Sequence, residues 1–284
     1  LFVQTESLAM QPDPSRPHRP DSHLPGRHAS GWRRGPVLLL AAALGLAGWG
    51  LWTQRHHPAA QAVAAAVAGA PTPAPVPAPH VPRFASFGRE DPSLDVRHIA
   101  DWAVDSGDPQ GRSFAVVDKK EARVWLFDPR GELIAATPAL IGAAVGDDPV
   151  PGIGEKPLAE ILPEEKTTPA GRFVAEHGVN AGGEDVVWVS YDLAVSMHRV
   201  RPTVKSERRL ERLASPTAED NRISFGCINL PVAFYEQVLR PTVQQTGAVV
   251  YVLPETRSPQ AQFGSYDVHD PSHLAVASPV GAVK

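Results

Sequence analysis

Asn221-Arg222-Ile223-Ser224-Phe225-Gly226-Cys227-Ile228-Asn229-Leu230-Pro231 holds the single cysteine of a 284-residue chain. A lone thiol forms no disulfide within its own chain, so its chemistry is that of a free sulfhydryl. An apolar, β-like approach leads to Ser and Gly, then to Cys227, then to Asn and Pro ahead of a helix-like run from Val232 to Leu239. This order predicts a strand-to-helix turn. There a thiolate gains from the positive end of the helix macrodipole, and backbone N–H groups can hold a developing oxyanion. The same residue type also fits a small buried hydrophobe, which free cysteines often are.

Upstream, Ser196-Met197-His198-Arg199 lies in a run that alternates like a strand and supplies a base candidate, His198. Ser224-Phe225-Gly226-Cys227-Ile228-Asn229 resembles the active-site signature of the L,D-transpeptidases (YkuD-type domains), Ser/Thr-His-Gly-Cys-hydrophobic-Asn with an upstream His as base. Five of the six positions match, and Phe225 stands where the family carries a second His. Thr167-Thr168-Pro169-Ala170-Gly171-Arg172-Phe173 resembles the Thr-Pro-x-Gly-x-Phe turn that enters a core strand of these domains. Residues 115–127 resemble their opening β-hairpin, and the likeness as a whole covers roughly residues 113–254.

The resemblance implies a reaction. Family members attack the L-centred carbonyl of the third residue of a peptidoglycan stem peptide, expel the terminal D-Ala, and pass the acyl group from Cys to a side-chain amine. The product is a 3-3 crosslink or a protein attached to the wall, and carbapenems inhibit the family. Carried onto this chain, Cys227 is the nucleophile and His198 the base, with the Gly226 and Cys227 N–H groups as oxyanion donors. Ser224 either holds His198 or is only a strand residue, and Asn229 either bonds the loop backbone or caps the following helix. Phe225 can neither donate, accept nor carry charge, so whatever the second His does is moved elsewhere or lost. Two readings compete with transfer: a Cys-His stem-peptide hydrolase with water as acceptor, and a non-catalytic wall-binding or scaffolding domain.

Composition sets the outer limits. With 43% hydrophobic and 20% charged residues there is enough apolar material for a core. The 30 prolines are densest in the first eighty residues or so, and setting that region aside leaves about 200 residues, one domain's worth. A formal charge of -4 gives no sign of a nucleic-acid partner. No glycine-rich phosphate loop, paired-Cys zinc pattern or acidic calcium loop occurs, and the chemistry read here calls for no cofactor and no metal.

Residues 1–35, rich in Pro, Arg and His, read as a disordered cytoplasmic segment. The uncharged run 36–52 reads as a membrane-spanning anchor, about 26 Å long as a helix, with Trp32, Trp49 and Trp52 at its margins. Five arginines before it against a single Arg55 after it orient the N-terminus to the cytoplasm and the rest to the outside of the inner membrane. A cleaved signal peptide is the alternative. Residues 53–82, nearly all Ala, Pro and Val toward their end, read as an extended spacer.

The catalytic domain is expected over 83–258, with 259–284 a loosely attached tail. A short helix is predicted from Ser93 to Val104, with Ser93 as N-cap. Strands are predicted at 114–118, 123–127, 133–141, 173–176, 186–190, 194–199 and 249–253. The fold class is therefore mainly β, an L,D-transpeptidase-like sandwich or barrel with few short helices. Residues 142–166 read as a long loop able to rim a groove, and 202–220 as a charged loop inserted between the two motifs. Oligomeric state is not legible.

Overall fold

The computed structural model describes residues 80–272. The expected disordered segment, membrane anchor and most of the spacer lie outside these residues, and among the described residues no helix is long and apolar enough to cross a membrane.

Ten strands form the frame: β1 (Ser113–Asp118), β2 (Arg123–Phe127), β3 (Leu133–Pro138), β4 (Ile141–Gly142), β5 (Gly171–Val179), β6 (Asp185–Ser190), β7 (Val195–Arg199), β8 (Arg222–Ser224), β9 (Ile228–Leu230) and β10 (Ala248–Val252). Eight of them make one sheet in the order β3-β2-β1-β10-β5-β6-β7-β9, while β4 and β8 pair separately. β1 with β10 and β7 with β9 run parallel, and the other neighbours in the large sheet run antiparallel. The two edges of that sheet approach each other, because Leu140, just past β3, exchanges backbone hydrogen bonds of 2.9 and 2.8 Å with Asn229 of β9. The domain is thus mainly β and nearly closed.

β1 and β10 are buried at every position, as central strands covered on both faces must be. Period-two alternation sends their side chains into two cores. Ala115, Val117, Val250 and Val252 face one core with Met197, Ile228, Leu230, Tyr235 and Leu239. Phe114, Val116, Val249 and Tyr251 face the other, under helix α1 (Leu94–Ser106) with Val96, Ile99 and Ala103. Ser93 caps α1 by accepting from the Val96 N–H at 3.3 Å, and Gly107 ends it in the left-handed conformation.

Three departures from the sequence reading have physical causes. The strand expected over 133–141 breaks after Pro138, because the chain there leaves β2 to reach β9 and β8 in turn. The helix expected to end at Leu239 continues as α3 (Val232–Phe234), a π-helical turn (Tyr235–Leu239) and α4 (Arg240–Thr246), if the short helix α2 (Arg209–Leu213) is counted first. Pro241 lacks an N–H and its ring crowds the preceding turn, and the wider turn just before it accommodates both faults. The third departure is the tail: helix α5 (Pro259–Phe263) and the residues after it pack on the second core through Phe263, Tyr266 and buried Val268. The Tyr266 hydroxyl donates to Asp105 at 2.7 Å, so the segment is attached at least that far.

A clasp of buried charges roots the 142–166 loop. Lys119, 1% exposed, donates from Nζ to Gly146 O at 2.5 Å and Asp147 Oδ1 at 3.0 Å, with Glu255 Oε2 at 3.3 Å. Asp147 also accepts from the Glu255 and Thr256 N–H groups, and Glu255 pairs with Arg222 of β8.

Candidate active site

β7 and β9 lie side by side in parallel register, Met197 opposite Ile228 and His198 opposite Asn229. Cys227, one residue before β9, therefore falls beside Ser196. Because strand side chains alternate, Ser196 and His198 share one face, toward which the sulfur turns. The Cys227 Sγ lies 3.8 Å from Ser196 Oγ and 3.6 Å from the Ala194 carbonyl, and Cys227 itself is half-buried. Burial pushes the thiol pKa up, but a hydrogen bond and charge from His198, with further hydrogen bonds from the Ser196 backbone and hydroxyl, outweigh it and bring the pKa below the ordinary thiol value.

The orientation of His198 is set from behind. Its Nδ1 lies 2.8 Å from the Arg199 carbonyl, and a carbonyl can only accept, so Nδ1 carries the proton and the lone pair of the neutral ring is on Nε2. Arg199 is held in turn by Glu236 Oε1 at 2.5 Å and Asp185 Oδ1 at 2.9 Å, and its guanidinium stacks 4.4 Å over Tyr235. Strands β6 and β7 and the helix after β9 thus fix the carbonyl that fixes the imidazole.

Gly226 is at φ +134°, and a Cβ there would come within 2.6 Å of the Thr167 carbonyl, so the turn admits only glycine. Ser224 Oγ accepts from the Gly226 N–H at 3.0 Å and donates to the Cys227 carbonyl at 2.6 Å. Thr168 Oγ1 donates to Gly226 O at 2.9 Å and accepts from the Gly142 N–H at 2.8 Å. Asn229, 1% exposed, donates to Cys227 O at 3.4 Å and receives Arg209 Nη1 at 2.7 Å. Both motifs recognised in the sequence, around residues 167–173 and 224–229, meet at this turn.

Several expectations change here. Cys227 sits between two strands rather than at a strand-to-helix turn. The next helix starts five residues later at Val232, beyond the reach of its macrodipole, which fades within the first turn. The Gly226 N–H is already given to Ser224, which leaves the Cys227 N–H as the remaining backbone donor of the expected pair. Ser224 braces the turn instead of holding His198. Asn229 bonds the loop backbone, and Pro231 rather than Asn229 occupies the N-cap of α3. Phe225 is half-buried with Lys166 Nζ 4.0 Å from its ring centroid.

Sequence reasoning missed Ser196, Arg209 and Lys166. Ser196 had a signal, its two-residue spacing from His198. Arg209 sits in the inserted segment 202–220, 3% exposed, and nothing in that charged run marks which of its arginines turns inward. A separate surface cleft of about 350 Å³, bordered by Glu90, Ser93, Asp118, Arg123 and Trp125, includes none of the residues around Cys227.

No family model matches this chain, and no curated protein matches its sequence. Solved structures similar to it include two of L,D-transpeptidases. The NMR structure of the catalytic domain from E. faecium L,D-transpeptidase is 18% identical over 50% of this chain and 98% of that one, with a TM-score of 0.30. A crystal structure of an Enterococcus faecium L,D-transpeptidase mutant is 18% identical over 50% of each chain, with a TM-score of 0.26.

Proposed function

We propose that this chain is a cysteine acyltransferase of the L,D-transpeptidase type, acting on peptidoglycan stem peptides. The observation that carries the reading is the register that sets Cys227 beside the strand of His198, whose Nδ1 proton is committed to a carbonyl, with the charge and hydrogen bonding of His198 lowering the thiol pKa. That arrangement favours the thiolate and leaves the Nε2 of His198 to take up and return a proton, so the pair can supply the nucleophile and the acid that acyl transfer needs in succession.

In the first half-reaction the thiolate adds to the L-centred carbonyl and forms a tetrahedral oxyanion, for which the Cys227 N–H is the nearest backbone donor. Collapse breaks the C–N bond. The His198 imidazolium gives its proton to the departing amine, and a thioester to Cys227 remains. In the second half-reaction an acceptor amine adds to the thioester carbonyl, His198 takes the amine's proton, and the sulfur leaves as thiolate. Atoms and charge balance without cofactor or metal. The apolar run 36–52 would anchor the domain to the inner membrane and the 53–82 spacer would lift it toward the wall outside.

A tetrapeptide stem incubated with a D-amino acid tests the reading. The expected outcome is exchange of the terminal residue by the wild-type protein and none above background by Cys227→Ala. A shortened stem without exchange would instead identify a hydrolase. An unchanged stem with an unmodified thiol would leave a scaffolding domain.

A further inference from the structure

Phe225 replaces the one motif residue that would bring charge to the turn, yet a charge is present there. Lys166 Nζ lies 4.0 Å from the centroid of the Phe225 ring, whose negative face attracts an ammonium. The backbone at this lysine is tied to the start of the 142–166 loop, and the two residues after it are tied to the turn that carries Cys227. Lys166 O accepts from the Ala144 N–H at 2.9 Å, the Thr167 carbonyl abuts Gly226, and Thr168 Oγ1 bonds Gly226 O. The ammonium therefore lies over Phe225, two residues before Cys227.

Among the described residues, no carboxylate pairs with Lys166. The adjacent Glu165 is engaged by Lys156 Nζ at 2.6 Å and by the Leu162 N–H at 2.8 Å. The other cations bordering the turn are matched within the fold: Arg209 by Glu207, Arg222 by Glu255, and Arg199 by Asp185 and Glu236.

We infer that Lys166 is a substrate-binding residue whose ammonium, braced on the Phe225 ring, receives the free carboxylate of the donor peptide's C-terminal residue. The inference rests on the acyl-transfer reading and adds a specificity to it. The departing residue is the one that bears the carboxylate, so the contact positions the scissile bond and selects a terminal acid over a terminal amide.

Two donor tetrapeptides of one sequence, ending in a carboxylate or a carboxamide, test this in exchange and in calorimetric binding to Cys227→Ala, which cannot turn over. The acid is expected to show a KM, and a Kd on Cys227→Ala, at least about tenfold below the amide. Lys166→Met keeps the apolar stem on Phe225 and should raise both values for the acid about 10- to 100-fold, erase the preference and leave kcat within about threefold. Lys166→Arg should keep the preference. Equal binding of acid and amide by Cys227→Ala, or a preference that survives Lys166→Met, overturns the inference. Exchange without discrimination would count against Lys166 alone, and discrimination in binding without exchange would count against the acyl-transfer reading alone.

Discussion

The 142–166 loop has a charged group at each end, and the two ends are finished in opposite ways. At its root, Lys119, Asp147 and Glu255 are buried and Arg222 is largely so, and each charge meets its opposite. At its far end, Lys166 rests on an aromatic ring with no carboxylate paired to it among the described residues, and the half-buried Cys227 is bordered by the Ser196 hydroxyl and the Ala194 carbonyl. Removing an ion from water costs several kcal/mol, so the root is stable only because it is internally neutral. A group that must meet substrate needs an unspent interaction, and the fold keeps it in place with partners that do not neutralise it. The comparison separates polar residues that hold the protein together from those the proposed reaction would use.

The sharpest way to break that division is His198→Ala. Loss of the acid-base partner should lower the exchange rate about 10²–10⁴-fold while the denaturation midpoint moves little. A loss under about tenfold would move His198 to the structural side. Asp147→Ala should do the reverse, lowering stability by about 3–5 kcal/mol in urea melts because Lys119 is left with half its neutralisation. The pH dependence has a definite sign. Burial alone would raise the Asp147 pKa, but hydrogen bonds from Thr256, Glu255 and Lys119 bring it well below the ordinary carboxylate value. Its stabilisation is therefore complete above about pH 4 and is lost as pH falls below that, and the variant should show a flatter acid limb.

Ser224→Ala sharpens the comparison inside the turn. It leaves the buried Gly226 N–H without an acceptor and should cost about 1–3 kcal/mol of stability, with a smaller effect on exchange than His198→Ala. The smallest effect belongs to the neighbour of Lys119. Lys120 pairs with Asp95 at 3.0 Å in the open, 49% and 34% exposed, and Asp95→Ala should change stability by less than about 1 kcal/mol. If Asp95→Ala and Asp147→Ala cost the same, burial is not what distinguishes the clasp.

The sequence revealed most of the frame because most of the frame is periodic. β2 falls on the predicted residues, and β1, β6, β7 and β10 fall within one residue of prediction at each end, since their runs alternate or stay apolar over five or six positions. β8 and β9 escaped because three residues are too few to show a period, and with them went the true setting of Cys227 between strands. The juxtaposition of Cys227 and His198 followed from motif order. The use of each N–H did not, because Ser224 and Gly226 are two residues apart and only the turn geometry shows which accepts from which. Lys119 and Lys120 are identical in sequence and opposite in burial, a difference decided by which face of the β1–β2 turn meets the 142–166 loop. Lys166 was invisible for the same reason, since its partner Phe225 lies 59 residues away in sequence.

The most direct test of the central claim is the mass of the Cys227-containing peptide after incubation of the protein with a carbapenem. A β-lactam opened by the thiolate adds its whole mass, with nothing released. The account predicts one adduct per chain on Cys227, absent from Cys227→Ala and slowed in His198→Ala. The rate should fall only as pH drops through a thiol pKa below the ordinary one, since the thiolate exists above it. An unmodified Cys227 peptide after hours at neutral pH, in a protein shown to be folded, would contradict it.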